Sequence, residues 1–435
     1  MEARLLRVRG RNARYLSRRL RSVVGRYGIT PRKAKDRVRR CLDALEPFDL
    51  APTFATPGRV VEGDPAFFRE LVTRGAELAV HGYDHVDLRR VSRADAAWQF
   101  ARAVEAYERH RIGCEGFRCP YLSYTPELEE VLPAGFFTYS SNQAVAWDVV
   151  PVESGNLVFA QLGSFYGAAR SDEVISTPTA GPRLVEIPAS VPDDLQLCDA
   201  LGLGEAGLVR AWKAMLDAAH SRGELFAPLF HPESFDLLEG ALLEMLDEAR
   251  ALRPAVWLTQ LRDVGRWWRE KERFTVTTRS GDGALQLDVE CSDRATVLVR
   301  EWPAQGAPRR WDGAWSVLDA RHARLENGVR PFVGVAGVDA GTASFLVEQG
   351  YIIDDGERAP DCTLLLDGET VTELRTRVAL VRHIESSTGP LLKFSRWPHG
   401  AKSAFCFAGD LDALSLRDYG RRLNPRSAGR QRPRR

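Results

Sequence analysis

Two histidines stand at a spacing that suits metal binding. His81 and His85 occur in HGYDH, directly after the apolar run Glu77–Val80. Imidazoles four residues apart lie on one face of a helical turn, so both can reach one ion through neutral ring nitrogens. The spacing alone is weak in a chain with 8 histidines. Its position at the carboxyl end of a predicted strand strengthens it, because α/β sheets and barrels carry their sites there.

A pair of aspartates follows another apolar run, near the end of the chain. Asp410 and Asp412 occur in GDLDA, after the predicted strand Ala404–Phe407. Residues i and i+2 of a strand point to the same side, so both carboxylates can enter one site. One of them can bind a metal ion while the other acts as a general base.

Two further segments place a polar residue at the end of a predicted strand, and each leaves two interpretations open. Arg118 and Pro120 interrupt an apolar run in GFRCPY, either within a site or in a surface turn with a salt-bridged arginine. His231 ends the run Leu225–Phe230 in LFHPES. It is either a satisfied core residue or an acid and base at the mouth of a barrel.

The elements that must position these residues follow an α/β pattern. From about residue 30 to 268, short apolar runs alternate with helical stretches, including helices that begin near Pro31 and after Ser92. The other strand candidates are Ala51–Ala55, Gly116–Arg118, Phe136–Ser140, Leu184–Ile187 and Ala255–Leu258. From about 274 to 382, alternating polar and apolar residues predict a smaller β-rich domain with one helix near Thr342–Gln349.

Composition excludes several classes of protein. The 60 Lys plus Arg nearly cancel the 59 Asp plus Glu, which gives no reason to expect nucleic acid as a partner. No window approaches the roughly 20 apolar residues of a membrane helix, and the start lacks the apolar core of a secretion signal, so we expect a cytoplasmic protein. The Arg-rich start suits either weak peripheral membrane contact or a solvated helix face. The 7 cysteines form no C-x-x-C pair and predict neither a disulfide framework nor a thiolate zinc site.

Taken together, these segments resemble the polysaccharide deacetylase family, also called carbohydrate esterase family 4. The resemblance covers roughly residues 30–268 and 390–416 and includes APTFATPG, RGAELAVHGYDHVDL, YSSN and VEIPAS. It implies an α/β fold, a distorted (β/α) barrel. In this family the strand with the paired aspartates comes first, whereas no such strand precedes Ala51 here.

We therefore predict a circularly permuted barrel with an inserted β-rich domain, since permutation is tolerated where termini lie in exposed loops. In a less favoured variant, the late strand completes a neighbouring chain's barrel. The predicted divisions are the barrel without its first strand (1–272), the β-rich insert (273–388), the permuted strand (389–420) and a basic disordered tail (421–435).

The resemblance assigns a metal and a base to the site. It implies that Asp412, His81 and His85 hold a divalent ion and leave open positions for water and substrate. Asp410 would be the general base, and Arg118 would pair with it and keep it ionised. Zinc is the expected metal for this ligand set, with manganese, cobalt or nickel as alternatives.

The resemblance also assigns the groups that handle the substrate. The backbone N–H of Tyr121, which follows Pro120, would help to stabilise the oxyanion. His231 would protonate the departing amine, and we select Asp148 to orient it and Trp147 to stack against a sugar ring.

Three functions remain open from the sequence. The first is metal-dependent removal of acetyl or similar acyl groups from the N-acylated sugars of a glycan or glycan precursor. The second is a catalytically inactive glycan-binding or scaffold protein on the same fold, because fold does not imply function. The third keeps the hydrolase but replaces the sugar with another amide. The oligomeric state is not predicted.

Overall fold

The computed structural model describes residues 23–149, 165–281, 284–302, 308–326 and 330–423. The Arg-rich start, residues 1–22, and its predicted membrane contact lie outside these ranges. The predicted disordered tail lies outside them too, except that residues 421–423 end a helix. Among the described helices, none is both long and apolar enough to cross a lipid bilayer.

Strands and helices alternate through the first part of the described chain, as the sequence pattern predicts. The strands up to residue 259 are β1 (Thr53–Thr56), β2 (Glu77–Val80), β3 (Gly116–Phe117), β4 (Tyr139–Ser140), β5 (Ala144–Ala146), β6 (Ala169–Arg170), β7 (Thr179–Ala180), β8 (Val185–Glu186), β9 (Ala189–Val191), β10 (Leu225–Phe226), β11 (Leu229–Phe230) and β12 (Val256–Thr259). The helices are α1 (Arg32–Leu45), α2 (Gly58–Gly63), α3 (Pro65–Thr73), α4 (Arg93–Arg109), α5 (Glu205–Arg222), α6 (Glu239–Ala251) and α7 (Leu261–Lys271).

The later part of the described chain is richer in strands. Its strands are β13 (Thr275–Gly281), β14 (Ala284–Glu290), β15 (Val297–Arg300), β16 (Arg309–Asp312), β17 (Trp315–Val317), β18 (His322–Glu326), β19 (Arg330–Ala336), β20 (Ile353–Asp354), β21 (Cys362–Asp367), β22 (Leu391–Phe394), β23 (Ser403–Cys406) and β24 (Ala408–Asp410). Its helices are α8 (Ala340–Glu348), α9 (Gly368–Leu374), α10 (Arg377–Ser386) and α11 (Leu416–Leu423).

The main sheet is built from both ends of the chain. Its order is β11-β24-β1-β2-β3-β4-β8-β7, and every pairing in it is parallel except that between β8 and β7. The sheet curls into a half-barrel of the deacetylase type, and an extra β-rich region lies in the chain between its early strands and β24. Parallel pairing brings the carboxyl ends of neighbouring strands to one edge, which is where a site of the predicted kind would lie.

The late segment inserts directly into this sheet. β24 pairs in parallel with β1 on one side, with Ala55 opposite Asp410, and with β11 on the other, with Leu229 opposite Ala408. β23 lies in the same way between β10 and β12. The single strand predicted at Ala404–Phe407 is thus two short strands that complete the same chain's sheet.

Aromatic packing holds the late segment in place. The rings of Phe407 and Phe230 stack with centroids 3.6 Å apart, and Phe405 packs against Phe226 at 5.8 Å. Both late phenylalanines are almost completely buried in the main core, beside Leu411. Each such side chain contributes about 1.5–3 kcal/mol through burial, so the late strands belong to the core.

The β-rich region differs from its prediction in two ways. Its strand β19 pairs in parallel with β20 and β21, and three helices accompany it, so this part is a small α/β unit. β22 was assigned by sequence to the permuted segment, yet it pairs antiparallel with β15. A strand goes where its hydrogen-bonding partner lies, and residue alternation does not reveal that partner. The boundaries at 272, 388 and 420 remain predictions.

Gly409 allows the close approach between β24 and β11. A Cβ atom there would lie 2.8 Å from the Phe230 ring and 2.9 Å from its carbonyl oxygen. We expect Gly409→Ala to lower the free energy of unfolding by about 1–3 kcal/mol, the usual cost of overpacking. Gly420→Ala is the matched control, because a Cβ there meets no atom within 4 Å and alanine favours the helix. Urea unfolding of both variants measures the effect, and equal stabilities would contradict the strand placement.

Candidate active site

Four strand ends bring the predicted site residues together. His81 directly follows β2, Arg118 follows β3, His231 follows β11, and Asp410 ends β24. These strands lie in parallel in one sheet, so their carboxyl ends share an edge. The late aspartates therefore meet residues more than 170 positions earlier in the chain.

His81, His85 and Asp412 form a compact set of potential metal ligands. One ligand atom from each lies within 4.8 Å of the others, and all three residues are buried. Asp412 Oδ1 is 3.6 Å from His81 Nε2 and 3.3 Å from His85 Nε2. His81 Nδ1 donates to the carbonyl oxygen of Arg118 at 2.8 Å, which directs its Nε2 lone pair into the site.

Two of these ligand atoms need a partner. His81 Nε2 and Asp412 Oδ1 are buried and accept no hydrogen bond from any described residue. Buried polar atoms are normally paired, so an open set of two imidazoles and a carboxylate fits a divalent ion.

The protonation states also suit a cation. Burial lowers the pKa of His81, and burial followed by the nearby Arg422 charge lowers that of His85 to about 4. Although burial opposes it, the Arg422 charge and then His85 hold the pKa of Asp412 well below its usual range. The set therefore presents neutral imidazoles and an anionic carboxylate near neutral pH, which are the forms that bind metals.

Arg118 holds the second late aspartate beside the metal ligands. Its Nη1 donates to Asp410 Oδ1 at 3.0 Å, while Asp410 Oδ2 lies 3.8 Å from His81 Nε2. Ser141 fixes the guanidinium, since its carbonyl accepts from Nε at 3.1 Å and its Oγ accepts from Nη2 at 2.9 Å. The expected pair of Arg118 and Asp410 is thus present and rigidly supported.

His231 has a different carboxylate partner from the one predicted. Its Nδ1 lies 2.7 Å from Asp194 Oδ1, and its backbone N–H donates to Asp194 Oδ2 at 3.1 Å. Asp148 instead lies 3.4 Å from Arg170 with 41% of its side chain exposed, so the assignment of Asp148 was wrong. The His231 Nε2 faces the site, 3.8 Å from Asp412 Oδ2.

The Asp194 carboxylate also changes the charge state of His231. Burial, the largest single influence, lowers the pKa of His231, but the charge and hydrogen bond of Asp194 with a smaller contribution from Asp412 raise it overall to about 9. A histidine with this pKa is protonated near neutral pH and can act as an acid.

The residues expected to touch substrate have mixed placements. Pro120 begins a short 3₁₀ turn, Pro120–Leu122, in which Tyr121 adopts a left-handed conformation with φ of 62°. The Tyr121 ring packs edge-on against His85 at 4.5 Å, at the rim of the metal ligands. Trp147 is fully buried and donates from its indole to Ser190 Oγ at 3.1 Å, so it cannot stack against a sugar.

The buried Arg26 and the largely buried Arg422 were not anticipated from the sequence. Arg422 of α11 donates to Asp412 Oδ2 at 2.6 Å and to His85 Nε2 at 3.0 Å. Arg26 donates to Glu233, two residues after His231, at 2.6 Å. Neither arginine follows a strand or stands at a metal-ligand spacing, so no pattern in the sequence indicates them.

Comparison with known families agrees with this geometry. Residues 27–136, which carry both histidines, Arg118 and Tyr121, match the family model described as polysaccharide deacetylase. This segment of the chain is therefore similar to polysaccharide deacetylases. The match ends well before the late aspartates, which the sheet brings to the same site.

Several solved structures described as polysaccharide deacetylases or family 4 carbohydrate esterases are similar to part of this chain. A putative polysaccharide deacetylase from Mycobacterium smegmatis is 22% identical over 58% of this chain and 82% of its own, with a TM-score of 0.44. A family 4 carbohydrate esterase from Streptomyces lividans is 16% identical over 49% and 82%, with a TM-score of 0.30. A family 4 pseudoenzyme from Bacillus anthracis is 13% identical over 53% and 61%, with a TM-score of 0.32. The search of curated proteins found no match.

Removing one ligand should abolish tight metal binding. Loss of a residue that only orients a metal ligand typically weakens metal binding by about 10–100-fold. Because His85 would bind the ion directly, we expect His85→Ala to weaken Zn²⁺ binding by more than this. His322→Ala is the control, because that side chain is 83% exposed and its ring pairs with Asp288 in the β-rich region. Metal content after dialysis and a competitive Zn²⁺ titration measure both. Equal metal content in the two variants would show that the three residues do not form the binding site.

Proposed function

We propose that the chain is a metal-dependent hydrolase that removes acetyl or similar acyl groups from the N-acylated sugars of a polysaccharide or glycan precursor. The observation that carries the proposal is the arrangement around Asp412. The three potential metal ligands lie between the Asp410 carboxylate, which pairs with Arg118, and the His231 ring, which pairs with Asp194. Metal-assisted amide hydrolysis needs these three components in one place.

His81, His85 and Asp412 would hold the ion. A divalent metal at this position supplies Lewis acidity for attack of water on the acyl carbonyl. Zinc is our first choice for two imidazoles and one carboxylate, with manganese, cobalt or nickel as alternatives.

Asp410 is placed to receive the proton of the attacking water. Arg118 holds its Oδ1, which leaves Oδ2 directed toward the metal ligands. Because Ser141 fixes the guanidinium at two points, the carboxylate has little freedom to turn away. Such positioning of a base contributes typically about 10²–10⁴-fold to rate.

His231 is placed to protonate the leaving amine. Its Nδ1 is engaged by Asp194, so the proton that can be transferred lies on Nε2, the nitrogen that faces Asp412. A sugar amine is a poor leaving group as an anion, so the acid is needed. The backbone N–H of Tyr121, on the turn at the rim of the site, is our candidate for oxyanion stabilisation.

We further infer that the order of elements is a circular permutation. The strand with the aspartate pair comes first in the family, whereas here it is β24, which lies between β1 and β11. The barrel needs these strands to be neighbours in space, and it does not need them to be neighbours in sequence.

One observation favours a second candidate, an inactive glycan-binding protein on the same fold. The Arg422 guanidinium contacts two of the three metal ligands, and a cation there opposes metal binding. Glycan binding that is unaffected by chelators, without acetate release, would favour this candidate.

Loss of the orienting carboxylate should reduce turnover. We expect Asp194→Asn to lower kcat for acetate release from N-acetylated oligosaccharides by about 10²–10⁴-fold, because His231 loses its positioning partner. Asp148→Asn should leave kcat unchanged, since that carboxylate is partly exposed and pairs with Arg170. A loss in Asp148→Asn with normal turnover in Asp194→Asn would reverse the assignment.

Loss of the base should separate chemistry from metal binding. We expect Asp410→Asn to retain bound Zn²⁺ but to lower kcat by about 10²–10⁴-fold, because an amide cannot take the proton. Metal analysis and the acetate assay on the same sample test this. Full activity of the variant would exclude Asp410 as the base.

A further inference from the structure

Helix α11, the last described helix in chain order, reaches into the candidate metal site. Arg422 Nη1 donates to Asp412 Oδ2 at 2.6 Å, and Nη2 donates to His85 Nε2 at 3.0 Å. Only 10% of the Arg422 side chain is exposed, and the two partners are buried. A single guanidinium therefore binds one oxygen of the carboxylate ligand and the ring nitrogen of a histidine ligand.

This position is set by the docking of the whole helix. The Leu416 backbone N–H donates to the carbonyl oxygen of Gly28 at 2.9 Å. The Tyr419 ring lies 5.3 Å from the Tyr27 ring, and both belong to a small buried cluster with Val23. The helix thus rests on the segment before α1, and Arg422 projects from it into the site.

The two contacts of Arg422 have different consequences for a metal. Asp412 can bind an ion through Oδ1 while Oδ2 keeps Arg422, because the two oxygens face different partners. The His85 Nε2 atom has one lone pair in the neutral ring. It can accept the Arg422 hydrogen bond or bind a metal, and it cannot do both.

We propose that Arg422 competes with the metal. Arg422 occupies His85 Nε2 and neutralises Asp412 until a divalent ion displaces the guanidinium from the histidine. The inference rests on the proposed metal site. Arg422 then lowers metal affinity in two ways, because it blocks a ligand and places a like charge beside the ion. By linkage, a bound metal weakens the hold of α11 on the site by the same factor.

Metal affinity is the direct test, with Co²⁺ as the probe, because its visible absorption reports the ligands without an activity assay. Arg422→Gln removes the charge and the forked contact. We expect this variant to bind Co²⁺ at least about tenfold more tightly than the native chain, within the usual range of coupling between sites. Arg421→Gln is the matched control, since Arg421 is the neighbouring, half-exposed arginine that pairs with Asp418 on the same helix.

Thermal unfolding gives a second measurement that does not depend on the spectrum. Without metal, Arg422→Gln should have a lower Tm than the native chain, because Asp412 loses its countercharge in a buried site. With saturating Co²⁺, it should gain more in Tm than the native chain or Arg421→Gln, because tighter binding stabilises the folded state further.

The outcomes separate this inference from the proposed function. Tighter Co²⁺ binding by Arg422→Gln alone, with the larger Tm gain, supports the competition. Equal affinity of the native chain and Arg422→Gln overturns it and leaves the metal site intact. Weaker binding by Arg422→Gln also overturns it and makes Arg422 a positioning residue for Asp412. If no variant binds Co²⁺, the metal site itself fails and the competition fails with it.

Discussion

The parallel pairing of β24 between β1 and β11 is the interaction on which the site depends. It carries Asp410 and the following Asp412 to the edge where β2 delivers His81. Without that pairing, the site would contain His81, His85 and Arg118 but would lack the carboxylates of Asp410 and Asp412. The close approach at Gly409 and the stacked Phe407 and Phe230 rings make the pairing part of the main core.

The β-rich region has a direct structural role in this pairing. β22 pairs with β15 and ends at Phe394, only nine residues before β23 begins at Ser403. Between them, the fully buried Trp397 packs near Trp257 and Trp268, and its indole donates to the Gly223 carbonyl at 3.0 Å. The region therefore fixes the entry of the late strand, which shortens the loop that must be closed when it joins the sheet.

The sequence pattern predicted the candidate site residues that directly follow strands. It gave the wrong residue where the conformation of a turn decides which way a side chain points. His81 follows β2, whose bounds match the prediction, and His231 follows β11, which ends at the predicted residue Phe230 although the predicted run Leu225–Phe230 is two short strands. Asp148 and Asp194 both follow strands, β5 and β9, that are parallel neighbours, so the same rule admits either of them. The turn after β9 directs Asp194 onto His231, whereas Asp148 points toward Arg170. Arg422 lies on a helix whose docking site is formed by Tyr27 and Gly28, and no local pattern reveals such a long-range contact.

Buried charges in this site occur as matched pairs. Arg118 pairs with Asp410, Asp194 with His231, Glu233 with Arg26 and Asp412 with Arg422. Pairing is required because an isolated buried charge costs several kcal/mol, and removing one partner leaves that cost uncompensated. A divalent ion would add positive charge to these four ion pairs, in which the charges already balance. Its binding would therefore be favoured if one cationic side chain moved away or if an anion bound beside it. Of these four pairs, only that of Arg422 and Asp412 includes a predicted metal ligand, and its arginine lies on α11. If a metal binds as proposed, the charge balance favours an adjustment at α11, while the pairs of Arg118 with Asp410 and of Asp194 with His231 can stay in place.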